Sequence, residues 1–201
     1  MVRKADRPRH IIKAALALAA AGRWSRVSLR DIAQEAGVSL AELHERYPSK
    51  TAILRAHFDA IDESVLKDIA EFDSEDSSRD RLFDVLMRRF DAMSGDRDAI
   101  AAIVLAACRD PLAGLCLSAG LMRSMHWMLE AAGIRAAGPG GRMRVRGLAV
   151  VWLATARVWL RDDSEDGART MAALDRNLAR AERLASALTC RSARPPETAP
   201  A

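Results

Sequence analysis

The chemistry this chain offers is recognition rather than bond-making. It is concentrated between Val27 and Leu54, V-S-L-R-D-I-A-Q-E-A-G-V-S-L-A-E-L-H-E-R-Y-P-S-K-T-A-I-L, where hydroxyl, guanidinium, imidazole, carboxylate and ammonium groups recur along short helical segments. Two helices joined by a turn of three or four residues containing glycine form a helix-turn-helix, whose second helix enters the DNA major groove. Here that second helix would run from Leu40 to Arg46 and present Leu40, Ala41, His44 and Glu45. A carboxylate such as Glu42 or Glu45 can accept a hydrogen bond from a cytosine amino group. Two negative charges also oppose binding to phosphates, which is dominated by basic residues. Many purely structural helix pairs turn on glycine, so the spacing alone leaves a scaffold reading open. Catalysis finds no foothold: His10, His44, His57 and His126 are scattered, and the spacing gives neither a Ser-His-acid set nor a phosphate-cradling glycine loop. The chain is read as a non-enzyme.

The elements that must position these groups announce themselves by their caps. Ser28 stands before the helical spacing Leu29, Ile32, Ala33, Ala36, with Asp31 where a capping box needs a carboxylate. Gly37 ends that helix, because glycine takes the left-handed conformation at no Cβ cost. Ser39 with Glu42 repeats the box and opens the Leu40–Arg46 helix, whose buried side carries Leu43 and Tyr47. Pro48 stops it, and Ser49 caps a longer helix that begins at Lys50 and is expected to reach about Phe72, with Ile53, Leu54, His57, Phe58, Ile61 and Val65 on one side.

Preceded by an amphipathic helix with Ile12, Ala15 and Leu16, and then Gly22, the sequence Ser28, Ile32-Ala33, Ala36-Gly37-Val38-Ser39, Leu43, Tyr47, Ser49-Lys50 and Leu54 resembles the N-terminal domain of TetR-family repressors over roughly the first quarter of the chain. The resemblance implies a three-helix DNA-binding domain over residues 1–50 and an all-helical ligand-binding and dimerisation domain over 51–190. It also implies a homodimer on double-stranded DNA, acting as a transcriptional regulator, usually a repressor, under the control of a small ligand. By the same resemblance Ser28, Ser39 and Lys50 match positions that commonly touch phosphates; Arg30 and Arg46 are further candidate DNA-binding residues. Leu40, Ala41, His44 and Glu45 fall on the recognition helix. The family usually has a small residue at position 41, a small or hydroxyl residue at 42, tyrosine at 44 and phenylalanine at 47; this chain has Ala41, Glu42, His44 and Tyr47.

At 201 residues, half of them apolar, the chain suffices for a small domain and one larger core without a cofactor. Only four Phe, four Trp and one Tyr occur, and alanine, leucine and arginine dominate, a composition that favours helix. The net charge of +4 is unevenly spread: residues 1–50 carry 10 basic against 5 acidic side chains, and residues 51–80 carry 3 against 9. The basic end is the motif end, and the arm Arg3-Lys4-Ala5-Asp6-Arg7-Pro8-Arg9 suits either phosphate contact or a solubilising tail. It leads into an amphipathic helix rather than the apolar core of a signal peptide. The longest apolar run, Ala99 to Cys108, is too short to span a bilayer, so no stable membrane insertion is expected. Cys108, Cys116 and Cys190 lack the paired spacing zinc requires. They read as reduced thiols of a cytoplasmic protein, the first two as small core residues.

Beyond the motif, Asp73 to Ser78 reads as an acidic linker, and Arg79 to about Met93 as a core helix with Leu82, Phe83, Leu86, Met87 and Phe90 on one side. Two segments that are apolar almost all round follow, Ala99–Cys108 and the stretch after Asp110-Pro111, and are expected inside. Such methionine-rich helices either fill a bundle or line a pocket for a small apolar ligand. Met87, Met122, Met125, Trp127, Met128 and Trp152 are the candidate lining residues. A Gly138–Gly141 loop, a helix from Arg142 to Arg161, a turn at Asp162-Asp163-Ser164 and a last helix with Met171, Leu174, Leu178, Ala181, Ala185 and Leu188 complete the chain. In the resembled family the last two helices typically form the dimer interface; the alternative is that both apolar faces are used up inside one subunit. Residues 191–201 read as a disordered tail. A looser resemblance, in residues 79–93 and 159–176, is to lipid-binding accessory proteins of ubiquinone biosynthesis, which share the TetR-like fold without being repressors. It implies a lipid- or isoprenoid-binding alternative in which the helix-turn-helix is only scaffold.

Overall fold

The computed structural model describes residues 7–69, 75–164 and 166–192, the side chains of Arg23 and of residues 188–192 excepted. Nine α-helices and no strand occur among the described residues: α1 (Arg7–Leu18), α2 (Leu29–Ala36), α3 (Leu40–Arg46), α4 (Lys50–Lys67), α5 (Ser78–Met93), α6 (Arg97–Ala107), α7 (Pro111–Ala131), α8 (Gly138–Trp159) and α9 (Ala168–Ser192). The all-helical expectation is met. The arm residues Arg3 and Lys4, the expected helix end at Phe72, the linker residues Asp73 and Ser74, the Leu188 and Cys190 side chains, and the tail from Arg194 lie outside the described residues.

The caps fall where their residue types place them. Ser28, Ser39, Ser49 and Ser77 each accept a hydrogen bond from the backbone N–H three residues on. Asp110 accepts from Leu112 and Ala113, with Pro111 at the first helical position, where its missing N–H costs nothing. Two boundaries differ from the sequence expectation. Helix α4 ends at Lys67 rather than near Phe72, with Asp68 as its C-cap; a carboxylate inside the last turn would oppose the negative end of the helix dipole. Helix α8 starts at Gly138 rather than Arg142: Pro139 fits the first turn, and a Cβ on Gly141 would lie 2.0 Å from the Ala136 carbonyl oxygen, so only glycine allows this close return of the chain.

Two apolar cores result. The first joins Ile11, Ala15 and Leu16 of α1, Trp24, Ile32 of α2, Leu43 of α3, Tyr47, Ile53 and Leu54 of α4, and Ala99 and Ile103 of α6. The second takes Ile61 and Val65 from the later part of α4 and combines them with α5, α7, α8 and α9 around Phe90, Met125, Met128, Trp152 and Leu174. Helix α4 therefore contributes to both. In the second core Phe90 stacks on Trp152 with ring centroids 4.0 Å apart, a pairing that adds about 0.5–1.5 kcal/mol beyond the buried area. The adjacent Asp62 is buried and accepts from Arg89 Nε and Ser124 Oγ, both at 2.8 Å. The Arg89 guanidinium lies 4.4 Å from the Trp152 ring centroid. Burial pulls Arg89 below its usual range, and the Asp62 carboxylate offsets that pull.

Helices α6 and α7 are not enclosed on all sides as their composition suggests. Val104, Leu105, Leu112, Leu115 and Trp127 are exposed, as are Cys108 and Cys116, which are surface thiols rather than core residues. The two helices meet at a tight corner around Cys108–Asp110, where a Cβ on Gly114 would lie 3.3 Å from the Ala107 carbonyl oxygen.

Candidate nucleic-acid interface

The helix-turn-helix is a frame of satisfied backbone ends. At α2 the Ser28 N–H donates to Asp31 Oδ2 at 2.8 Å, and the Asp31 N–H donates to Ser28 Oγ at 3.2 Å. The Ser28 backbone N–H first, and second the Ser28 hydroxyl, which donates to Asp31 Oδ2 at 2.8 Å, hold the Asp31 carboxyl below the usual carboxylate range. At the other end Gly37 sits at φ 65°, ψ 34°, with Gly37 N–H bonded to Gln34 and Val38 N–H bonded to Ala33. This is the Schellman arrangement, in which a left-handed glycine reverses the chain in a single step. The reversal delivers Ser39, whose N–H donates to Glu42 Oε2 at 2.9 Å while its Oγ accepts from the Glu42 N–H at 3.2 Å.

On α3 the inward side is Leu43, fully buried, followed by Tyr47, also buried; desolvation raises the Tyr47 phenol above its usual range. The outward side is Leu40, Ala41, His44, Glu45 and Arg46, all exposed. One face of a seven-residue helix thus offers an apolar contact, an imidazole, a carboxylate and a guanidinium, held by a scaffold whose α2 and α3 starts are closed by capping boxes. Glu42 is not part of that face. Its carboxylate closes the cap and pairs with the guanidinium of Arg7 at the start of α1, so its charge is neutralised within the protein.

Ser28, Arg30 and Ser39 are exposed on the same block. Lys50 is not placed with them. Its ammonium is turned inward, donating to the Trp24 carbonyl at 2.8 Å and the Val27 carbonyl at 2.9 Å, and stands 4.6 Å from the centroid of the Trp24 ring. Burial pulls the Lys50 ammonium below its usual range. Sequence reading missed both long-range ties, Arg7 to Glu42 and Lys50 to the α1–α2 connection. No spacing rule signals a pairing across more than twenty residues.

The candidate ligand residues do not converge on one cavity. Met125, Met128 and Trp152 are closed into the second core, and Met87 and Met122 pack half-buried against it. Trp127 is exposed and edges an open groove of about 290 Å³ with Asp59, Asp62, Glu63, Leu66 and Arg123.

Residues 11–57 match the family described as bacterial regulatory proteins, tetR family. They form a TetR-type N-terminal domain. The match ends inside α4, seven residues past Lys50. The likeness in fold extends over most of the rest of the chain. The crystal structure of a TetR transcriptional regulator from Nitrosomonas europaea superposes with a TM-score of 0.69 at 26% identity, covering 88% of this chain and 98% of that one. A TetR transcriptional regulator from Rhodococcus sp. RHA1 gives 0.58 at 21% identity over 90% and 97% of the two chains. A putative TetR-family regulator from Mesorhizobium loti gives 0.55 at 16% over 92% and 98%. The last two likenesses speak for the fold alone. No curated protein matches the sequence. The fold of this chain is TetR-like, with the helix-turn-helix in its N-terminal domain.

Proposed function

We propose that the protein is a homodimeric DNA-binding transcriptional regulator of TetR type, a cytoplasmic repressor whose affinity for its operator is set by a small apolar ligand. The observation that carries the reading is the outward face of α3, where Leu40, Ala41, His44, Glu45 and Arg46 are exposed together on a frame capped at both helix starts. In this reading α3 enters the major groove, the α3 side chains read base edges, and Ser28, Arg30 and Ser39 contact phosphates. Residues 1–50 form the DNA-binding unit and residues 51–190 the ligand-binding and dimerisation unit, with α4 passing from one to the other. No described helix is long and apolar enough to cross a membrane.

Dimerisation through α8 and α9 is supported by what these helices leave outside. Met143, Val150 and Leu153 recur along one side of α8 and, with Leu184 of α9, are more than half exposed, an apolar surface that suits a second copy of the chain. Sedimentation equilibrium should give a dimer that Val150→Glu converts to monomer. Ligand control is supported by unbranched Met87 and Met122, which can repack beside the second core, and by α4, which would carry a shift there into the first. An effective ligand must bind the DNA-free form more tightly than the DNA-bound form.

The test of the whole reading is binding of the full chain to fragments from upstream of its own coding sequence, across a salt series with competitor DNA. The proposal expects one fragment to be preferred, with affinity falling steeply as salt rises. Weak binding that any DNA competes away, there and on a wider set of fragments, would leave the lipid- or isoprenoid-binding alternative.

A further inference from the structure

The helix-turn-helix enters from Val27 and leaves through Ser49, and the side chain of Lys50 reaches back across its mouth. The ammonium has three hydrogens: one goes to the Trp24 carbonyl, one to the Val27 carbonyl, and the remaining side is covered by the Trp24 indole. Trp24 is itself buried and belongs to the first core. Ser28, the cap of α2, directly follows Val27, and Lys50 is the first residue of α4. The bonds therefore join two points 23 and 26 residues apart that bracket α2 and α3. A cation used in this way has two of its three donors committed to the protein's own backbone, and turning it outward would strand two carbonyls.

We propose that Lys50 serves DNA recognition as a positioning residue, which closes the helix-turn-helix at its base and fixes the entry of α2, rather than as a phosphate ligand. The proposal rests on the regulator reading given above. Its consequence is a division of labour: the exposed residues of α2 and α3 meet the DNA, and Lys50 determines whether they meet it together. The Arg7–Glu42 pair makes a second tie, from the start of α1 to the first turn of α3.

Lys50→Met keeps most of the stem and removes the charge and the donors, which separates the two roles. A phosphate ligand that is lost weakens binding on every sequence alike and reduces the slope of log K against log salt by about 0.9. Loss of a positioning residue leaves that slope unchanged and lowers the ratio of affinity for the preferred fragment to affinity for random DNA, here by about 10-fold. Hydrogen exchange of the free protein reads the tie without DNA. The amides from Val27 to Asp31 should exchange about 10-fold faster in the variant, the equivalent of one lost charge-assisted contact. If Lys50→Met does not fold, Trp24→Phe, which weakens the cation–π cover, should shift both readouts in the same direction by a smaller factor. A shallower salt slope with selectivity intact, or unchanged exchange at residues 27–31, overturns the proposal. A wild-type protein with no preferred fragment would instead defeat the regulator reading, and exchange would still decide whether the tie exists.

Discussion

The two cores of this molecule handle polar groups in opposite ways. In the block built by α1, α2 and α3, the polar groups sit at helix ends and on the surface: capping boxes at Ser28 and Ser39, the Arg7–Glu42 pair, and Lys50 on two carbonyls. In the larger bundle the decisive polar groups are inside. Asp62, Arg89 and Ser124 form a buried set against Trp152, and Asp162, also buried, accepts from the backbone and hydroxyl groups of both Ser164 and Thr170 where α8 turns into α9. The first arrangement leaves one helix face exposed and aimed. The second fixes how five helices, α4, α5, α7, α8 and α9, meet, and breaking it should be felt in stability before anything else.

The comparison predicts effects that decrease from the bundle to the frame. Arg89→Met should be the most damaging single change, costing about 3–5 kcal/mol, because it leaves the Asp62 carboxylate buried without its partner. The expected fall in Tm is on the order of 10 °C, and the double change Arg89→Met with Asp62→Leu should recover much of it. If the single variant melted like wild type, the buried pair would not be holding the bundle together.

Asp162 comes next. Burial alone would raise its carboxyl, but the Ser164 and Thr170 hydrogen bonds outweigh burial and hold it well below the usual carboxylate range. A depressed folded-state pKa contributes stability that is complete above the unfolded value of about 3.9 and is lost as the pH falls below it. Asp162→Ala should therefore cost about 1–3 kcal/mol at neutral pH through the buried Thr170 donors it strands, and should flatten the acid side of a urea-denaturation series. A variant with an unchanged acid limb would show that other carboxylates set it. Ser39→Ala should have the smallest effect, about 1 kcal/mol for a lost cap. On the proposed function it should also disturb sequence preference, because the cap starts α3, the helix assigned to base reading.

The same contrast explains what could be read from the sequence. Caps, the glycine turn and the outward face of α3 depend on residues three to seven apart, and local patterns are what a sequence displays. Ser28, Ser39, Ser49 and Asp110 all cap where their neighbours imply. Apolar composition indicated which helices belong to the bundle but not which way they face, hence the exposure of Leu112, Leu115 and Trp127 and the surface position of Cys108 and Cys116. Lys50 shows the limit most plainly. Its position in the motif matches a phosphate-contacting lysine, and only the path of the chain brings its ammonium to carbonyls more than twenty residues back.

The account turns on α3 being the element that reads sequence, and selection of bound duplexes from a random library by the wild-type chain and by His44→Ala tests this most directly. The predicted result is a two-fold symmetric site for the wild type, its half-sites roughly 34–36 Å apart or a multiple of that, with the variant changing the preferred bases inside each half-site and leaving the spacing intact. A library that returns no common sequence, or a His44→Ala variant that selects the wild-type site unchanged along with Leu40→Ala, would contradict it.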